Sequence, residues 1–536
     1  MNNIRLYTAG KADFESIIRS GRIYVDKTDL IYRMTHESDY VFLSRPRRFG
    51  KSLLCNTLIS YFQGHKEYFE RLMLGQLETE WVAYPVLHFD LSLCKNKQDV
   101  KGIVSEISLQ LSPYENVYGR NIEEITLGQR LAGLIQRAHK KTGQGAVVIL
   151  DEYDAPLLDV LNKPDELNEV RRLMQELFQP LKVYEKDLRF TFITGITKFS
   201  HLSIFSTLNN LSNISMSERY SAICGFTEKE LLTVFAPDIQ MLADKEKCSF
   251  EEMYAKLKRK YDGYHFSENL EDIFNPYSLT KAFMDAKLGD YWFGSGTPTY
   301  LFEQMKRFGT RLEELDRDNL RVTAQGFDVP TEAMDSALPL LYQSGYLTIK
   351  DFDRITSIYT LDFPNAEVKV GFMDSFLKSN FAIARKGVDG FVSEMYYGML
   401  NGDVGKLMMA IRSFFASIPY MDYGGEEVKT VARFEAFYET LFFAVFSMLN
   451  YLVFTQVKSV RGRCDVVCFM PETTYVMELK INGSSEEALR QINERGYSIP
   501  YETQNTKIVK IGINFSSETR TVEDWKVETT EIVPNE

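Results

Sequence analysis

Four short apolar runs, at residues 40–43, 85–90, 146–151 and 189–194, punctuate the first part of the chain, each rich in β-branched or aromatic residues. Such runs predict strands buried on both faces, as in a parallel sheet. Between them, residues 99–111 and 126–142 carry apolar side chains at helical spacing and predict crossover helices. Residues 1–224 therefore read as an α/β domain, with any ligand at the carboxyl ends of its strands.

From 225 to 300 the pattern turns helical and aromatic, as expected of a helical lid. Thr227-Glu-Lys-Glu230 predicts a capping box. Tyr261-Asp-Gly-Tyr-His-Phe266 and Asn275-Pro-Tyr-Ser278 read as tight corners filled by aromatic rings. Residues 301–428 are again mainly helical, and Leu340-Leu-Tyr-Gln-Ser-Gly-Tyr-Leu-Thr-Ile349 suits a helix followed by a β-wing, a winged-helix-like connector. Paired glycines and charges in Tyr420-Met-Asp-Tyr-Gly-Gly-Glu-Glu427 interrupt the periodicity and mark a linker. Beyond it, residues 429–536 combine a helix at 433–449, two strands about a turn at 471–474, and a capped helix from Ser484. That is a second α/β domain.

Chemistry enters where two of the first strands end. Phe42-Leu-Ser-Arg-Pro-Arg-Arg-Phe-Gly-Lys-Ser52 links an apolar strand to a helix-like run, a junction that offers backbone N–H groups and a helix N-terminus to phosphate. Lys51 is placed to reach the β/γ-phosphates of ATP and Ser52 to ligate Mg²⁺. Ala146-Val-Val-Ile-Leu-Asp-Glu-Tyr-Asp154 is a buried strand ending in carboxylates; Asp151 suits the Mg²⁺ and Glu152 an attacking water. The general pattern wants glycine at position 45. This chain has Arg45, and Pro46 further restricts the loop.

A different chemistry sits near the C-terminus. Gly462-Arg-Cys-Asp-Val-Val-Cys-Phe-Met470 and Tyr475-Val-Met-Glu-Leu-Lys-Ile481 read as a hairpin. If all four residues 471–474 form its loop, Asp465 falls opposite Lys480, with Glu478 on the same face. Two carboxylates and a lysine on an apolar hairpin call for a metal or mutual pairing. A hard divalent cation fits them, and Lys480 could orient its water or stabilise charge on a phosphoryl oxygen. Glu435 or Glu439 on the preceding helix could complete the metal sphere, and Gln491 on the following one faces back toward the hairpin.

Composition narrows the partners. The chain has 536 residues, 44% hydrophobic and 25% charged, with a net charge of −12, so it exceeds one core and has no global attraction to nucleic acid or anionic membrane. The region from 431 onward holds 11 Lys/Arg against 15 Asp/Glu. Any phosphate-binding rim must be local, drawn from Lys458, Arg461, Arg463, Lys507 and Lys510. The longest apolar stretch, residues 441–454, is too short to span a bilayer, and Met1-Asn-Asn-Ile-Arg-Leu-Tyr lacks an apolar core. The expectation is a cytoplasmic protein with no membrane contact. The six cysteines include no CxxC pair, and the six histidines form no metal-binding cluster.

Asp465-(x12)-Glu478-x-Lys480, with a preceding helical Glu and a following Gln491, resembles the PD-(D/E)xK nuclease pattern. The whole chain resembles bacterial AAA-ATPase-like proteins with a C-terminal domain of that type. The likeness runs through Arg45-Pro-Arg-Arg-Phe-Gly-Lys-Ser52, Asp151-Glu-Tyr-Asp154, Thr194-Gly-Ile-Thr-Lys198, Cys224-Gly-Phe-Thr227, Tyr261-Asp-Gly-Tyr264, Asn275-Pro276, Gly462-Arg-x-Asp465 and Ala488-Leu-Arg-Gln-Ile492. It implies a P-loop NTPase sheet domain, a helical middle region and a restriction-endonuclease-like α/β domain. It makes Arg45 the usual residue of its loop. The nucleotide-binding candidates are thus Arg45, Pro46, Arg47, Arg48, Phe49, Gly50, Lys51, Ser52 and Asp151, with Thr194 as γ-phosphate sensor and Glu152 as base. At the second site the resemblance selects Glu435 over Glu439, beside Asp465 and Glu478 on Mg²⁺ or Mn²⁺, with Lys480 and Gln491 catalytic. An activating arginine is harder to place; Arg219 is one candidate, within or between subunits. The implied activity is an ATPase coupled to a nuclease acting on nucleic acid, with a second copy of the chain as a further candidate partner. The alternative is an ATP-driven switch whose C-terminal domain binds nucleic acid or protein without cutting. A scaffold with two vestigial sites comes third.

Overall fold

A computed structural model of the chain describes residues 5–97, 99–198, 210–295, 299–315, 320–331, 334–381, 385–417, 431–449, 453–459, 462–502 and 507–532. The first sheet consists of β1 (Tyr40–Ser44), β2 (Val86–Asp90), β3 (Ala146–Asp151), β4 (Leu188–Gly195) and the short β5 (Ser212–Asn213). All neighbours are parallel, in the order β2-β3-β4-β1-β5. The four apolar runs are these strands to within a residue or so, because burial on both faces leaves no room for a polar period. The register sets Leu43 beside Thr194 and Asp90 beside Asp151, so the candidate residues leave the sheet at one edge.

The helix predicted for residues 99–111 starts as expected, with the Asp99 carboxylate accepting from Gly102 N, but continues through Pro113 to Tyr118. Tertiary contact overrides the proline there. Tyr114 packs 5.8 Å from Phe89 and its hydroxyl bonds both His88 N and His88 O of β2. The helix Leu127–Thr142 opens on a full capping box at Thr126 and Gln129.

In the helical segment that follows, β6 (Phe226–Thr227) pairs antiparallel with β7 (Ile273–Phe274) and closes a core around Phe235, Leu242, Leu257 and Leu279. Thr227 and Glu230 form the predicted capping box. Next come β8 (Arg321–Val322), β9 (Thr348–Asp353) and β10 (Ile358–Asp362), an antiparallel sheet in the order β8-β10-β9, with the helices Ala324–Phe327 and Leu338–Gln343 between β8 and β9.

The chain forms two compact units that do not follow four contiguous segments. One joins Met1–Gly294 to Leu320–Asn365; the other joins Ser295–Asn319 to Ala366–Glu536. The expected connector 301–428 is thus shared between them. The linker at 420–427 lies outside the described residues.

The second unit carries β11 (Val453–Ser459), β12 (Gly462–Phe469), β13 (Thr473–Ile481), β14 (Lys507–Ser516) and β15 (Thr521–Glu531), hydrogen-bonded in sequence order. Only β13 and β14 run parallel, and the helix Ser485–Arg495 is their crossover. Gly512 lets that helix approach, since a Cβ there would lie 2.2 Å from Ser485 O. The helix Val431–Met448 precedes the sheet.

One sequence expectation is corrected here. Met470 and Thr473 bond each other, Met470 N to Thr473 O at 2.8 Å, so the turn is Pro471-Glu472 rather than four residues. Val466 therefore faces Met477, and the register brings Asp465 opposite Glu478 instead of Lys480. The slip is two residues, an even number, so every side chain keeps its predicted face.

Candidate functional site

β1 ends at Ser44 and the helix Lys51–Phe62 begins at Lys51, with Gly50 at φ 97° as its N-cap. Arg48 also has positive φ, 69°, as does Glu152 at 49°. Non-glycine residues held there carry strain of about 1–2 kcal/mol each, and both lie at this site. Lys51 is buried; its Nζ donates to Arg45 O at 3.1 Å and Pro46 O at 3.3 Å and pairs with Glu152 Oε1 at 3.2 Å. Burial alone would raise the Glu152 pKa, but Lys51, then Lys95 and Arg47, hold it below the ordinary carboxylate range. Asp151 behaves oppositely. Desolvation pushes it up to about 6, although the Ser52 side chain bonded to it works the other way. Its buried Oδ1 has no hydrogen-bond partner among the described residues. An orphaned carboxylate oxygen beside a serine hydroxyl fits a divalent cation, which Ser52 and Asp151 would hold.

Arg45, Arg48 and Phe49 are engaged by other partners. Arg45 is 1% exposed and its guanidinium bonds backbone carbonyls. Arg48 lies 4.3 Å over Tyr277, and Phe49 packs edge-on against Tyr264 and Phe266. Trp292 Nε1 donates to Arg47 O at 3.4 Å. Thr194 is fully buried and donates its hydroxyl to Leu43 O at 2.8 Å, so sensing a γ-phosphate would mean exchanging that bond. Arg219 is exposed and pairs with Glu37.

Two groups were missed in the sequence. Asp154, buried, accepts from Ile196 N, Thr197 N and the Thr197 hydroxyl, which fixes the end of β4 against the end of β3. Its place in Asp151-Glu-Tyr-Asp154 was the available signal. Lys95, just past β2, influences Glu152 only because sheet order sets β2 beside β3, and nothing in its local sequence marks it.

At the second site, β12 supplies Asp465, β13 supplies Glu478 and Lys480, and the helix Ser485–Arg495 supplies Gln491. Asp465 Oδ2 accepts from Leu479 N at 2.8 Å. Lys480 Nζ donates to Gln491 Oε1 at 2.6 Å and lies 3.7 Å from Glu478 Oε1, to which the Gln491 amide also donates. Tyr497, unpredicted, is 3.4 Å from that amide. Burial, with Asp465 adding repulsion, pushes Glu478 up to about 8 despite Lys480. Its Oε2 is buried and without a hydrogen-bond partner among the described residues. That donor set again fits a divalent cation, which Asp465 and Glu478 would hold. Among the described residues no group of three or more His, Cys, Asp or Glu is placed to hold a metal. Glu435 and Glu439 fall on the helix Val431–Met448, with side chains outside the described set. Of the proposed basic rim, Lys510 is committed to Glu528 and Asn493. Arg461 and the side chains of Lys458 and Arg463 lie outside the described set.

A phosphate loop on a parallel sheet and a strand-borne acid pair with a lysine on a mixed sheet define an ATPase-like domain joined to a nuclease-like one. Residues 8–205 match the family model described as predicted AAA-ATPase, and residues 433–525 match that of the PD-(D/E)XK nuclease superfamily. A protein described as "Uncharacterized protein in vnfD 5'region", from Azotobacter chroococcum mcd 1, is 32% identical over 516 residues, covering 94% of this chain and 95% of that one. The chain belongs to the family of predicted AAA-ATPases that carry a C-terminal PD-(D/E)XK-superfamily domain. Among the described residues no helix is long and apolar enough to cross a membrane.

Proposed function

We propose that the chain binds and hydrolyses ATP in its first domain and cleaves phosphodiester bonds of nucleic acid in its last. The observation that carries the second half is the convergence of Asp465, Glu478, Lys480 and Gln491 from two strands and a helix, with one Glu478 oxygen buried and unpartnered. Such a group is costly to bury unless it has a task.

In this reading Lys51 and the loop N–H groups bind the β/γ-phosphates. Glu152, kept ionised by Lys51, takes the proton of the attacking water. At the other site Asp465 and Glu478 would hold Mg²⁺ or Mn²⁺, with Glu435 a candidate third ligand. Lys480, steadied by Gln491, orients the nucleophile and meets charge developing on the phosphoryl oxygen. A divalent ion at either site supplies charge neutralisation and a more acidic water.

The test is cleavage of a panel of DNA and RNA substrates in Mg²⁺ or Mn²⁺, with and without ATP, beside ATP binding by wild type and Lys51→Ala. Metal-dependent cleavage and Lys51-dependent ATP binding are expected. ATP binding with no cleavage of any substrate would leave the switch reading, in which the C-terminal domain binds without cutting.

A further inference from the structure

The general phosphate loop wraps its ligand because glycine permits it. Between Arg45 and Lys51 this loop has one glycine, Gly50, and instead is held by its side chains. Arg45 contributes most. Its Nη1 donates to Ser44 O at 3.0 Å and Ser215 O at 2.7 Å, and its Nη2 to Tyr220 O at 3.1 Å and Ser221 O at 3.4 Å. The guanidinium carbon lies over the Phe266 ring, 4.2 Å from its centroid. The Arg45 backbone N–H reaches Gly195 O of β4 at 3.2 Å, and its carbonyl receives Lys51 Nζ. Among the described residues no carboxylate pairs with it. Burial lowers its pKa to about 10, still well above neutrality, so four carbonyl dipoles and a ring face meet a full charge.

All four Nη hydrogens thus have acceptors, and the remaining Nε–H is buried without a hydrogen-bond partner among the described residues. With Arg45 1% exposed, that last donor is closed off from a phosphate in the loop. We infer that Arg45 is a positioning residue of the nucleotide site, which holds the base of the phosphate loop in the shape that presents Lys51 and the loop N–H groups, the task glycine performs in the general pattern. The inference rests on the ATP-binding reading above. It reverses what the general motif would predict: restoring glycine at position 45 should harm this protein. A glycine would free the chain at the base of the loop and remove a donor from four buried carbonyls, of which Tyr220 O retains Ile223 N at 3.2 Å.

The experiment compares ATP affinity, turnover and thermal stability of the full chain in wild type, Arg45→Gly and Arg45→Lys, each with and without millimolar guanidinium ion. Arg45→Gly should lose about 10- to 100-fold in ATP affinity, the scale of lost charge-assisted hydrogen bonds. Added guanidinium should restore part of that loss, which a general loosening of the fold would not allow. Arg45→Lys keeps the charge but neither forks nor stacks, and should fall between, about tenfold down. Wild-type affinity in either variant overturns the inference. If Arg45→Gly does not fold, Arg45→Lys decides alone. If wild type binds no ATP, the ATPase reading falls and this inference falls with it; wild-type binding with an indifferent Arg45→Gly removes this inference only.

Discussion

Both candidate sites are built from two acids and a lysine, Asp151, Glu152 and Lys51 in one and Asp465, Glu478 and Lys480 in the other, yet the glutamates end in opposite states. Glu152 has Lys51 at 3.2 Å, with Lys95 and Arg47 adding to its field, and is held ionised against its burial. Glu478 has Lys480 at 3.7 Å with its charge shared by the Gln491 oxygen, while Asp465 repels it, and is pushed up to about 8. The same three residue types thus leave one glutamate held ionised and the other with its pKa raised. Burial raises both; at Glu152 the surrounding cations outweigh it, and at Glu478 burial and the charge of Asp465 outweigh Lys480.

The comparison breaks most visibly at Asp465. Asp465→Asn removes half of the described acid pair, and metal-dependent cleavage should fall about 10³-fold or more, the ion being both charge sink and water activator. Equal residual cleavage in wild type and variant would assign the activity to a contaminant.

Glu152→Gln asks whether the ionised glutamate is the base. ATP binding should persist while turnover drops about 10²–10⁴-fold, the usual worth of a positioned proton acceptor. Normal turnover would place the base elsewhere. Lys480→Ala is the counterpart at the second site and somewhat smaller, about 10²–10³-fold in the chemical step, with metal affinity retained. Loss of metal binding in that variant would make Lys480 a structural partner of Glu478 rather than a catalytic group.

What could be read in the sequence follows from how each feature is encoded. The sheet strands were legible because a strand buried on both faces is an unbroken apolar run, as at Ala146–Asp151. The caps at Thr227 and Ser484 were legible because a hydroxyl followed three residues later by a glutamate is a local signal. The acids and lysine of the second site were placed on the right face because the strand period survives a two-residue slip. The slip itself came from the turn, where Met470 and Thr473 close a tighter loop than the four polar residues suggested. Other features have no local signature. The commitment of Thr194 to Leu43, the clasp of Arg45 on residues 215–221 and the field of Lys95 at Glu152 all come from sheet order. The division of residues 301–428 between two units was invisible for the same reason.

The last prediction separates a perturbed acid from a functional one. Asp262, in the corner Tyr261-Asp-Gly-Tyr264, is 1% exposed, and burial, then repulsion from Asp272, raises its pKa from an ordinary 3.8 to about 7. The cations facing it give little. Lys258 is 3.8 Å away and closer to Asp272, at 2.9 Å, while Lys350 donates to the carbonyls of Gly263 and Pro364. Because the folded state holds this proton more tightly than the unfolded chain, the sign is fixed. The penalty is absent below about pH 4, grows as pH rises through the window, and is complete above about pH 7. Asp262→Asn cannot ionise and should flatten that part of the stability curve. Relative to wild type it should gain about 1–4 kcal/mol between pH 5 and pH 8, the free-energy scale of the shift. ATP turnover and cleavage should stay unchanged, since neither site uses the group. Parallel denaturation curves at the two pH values would show that Asp262 does not titrate. A loss of turnover without loss of stability would instead make this corner part of the nucleotide site, and the contrast between the two lysine-acid clusters would gain a third member.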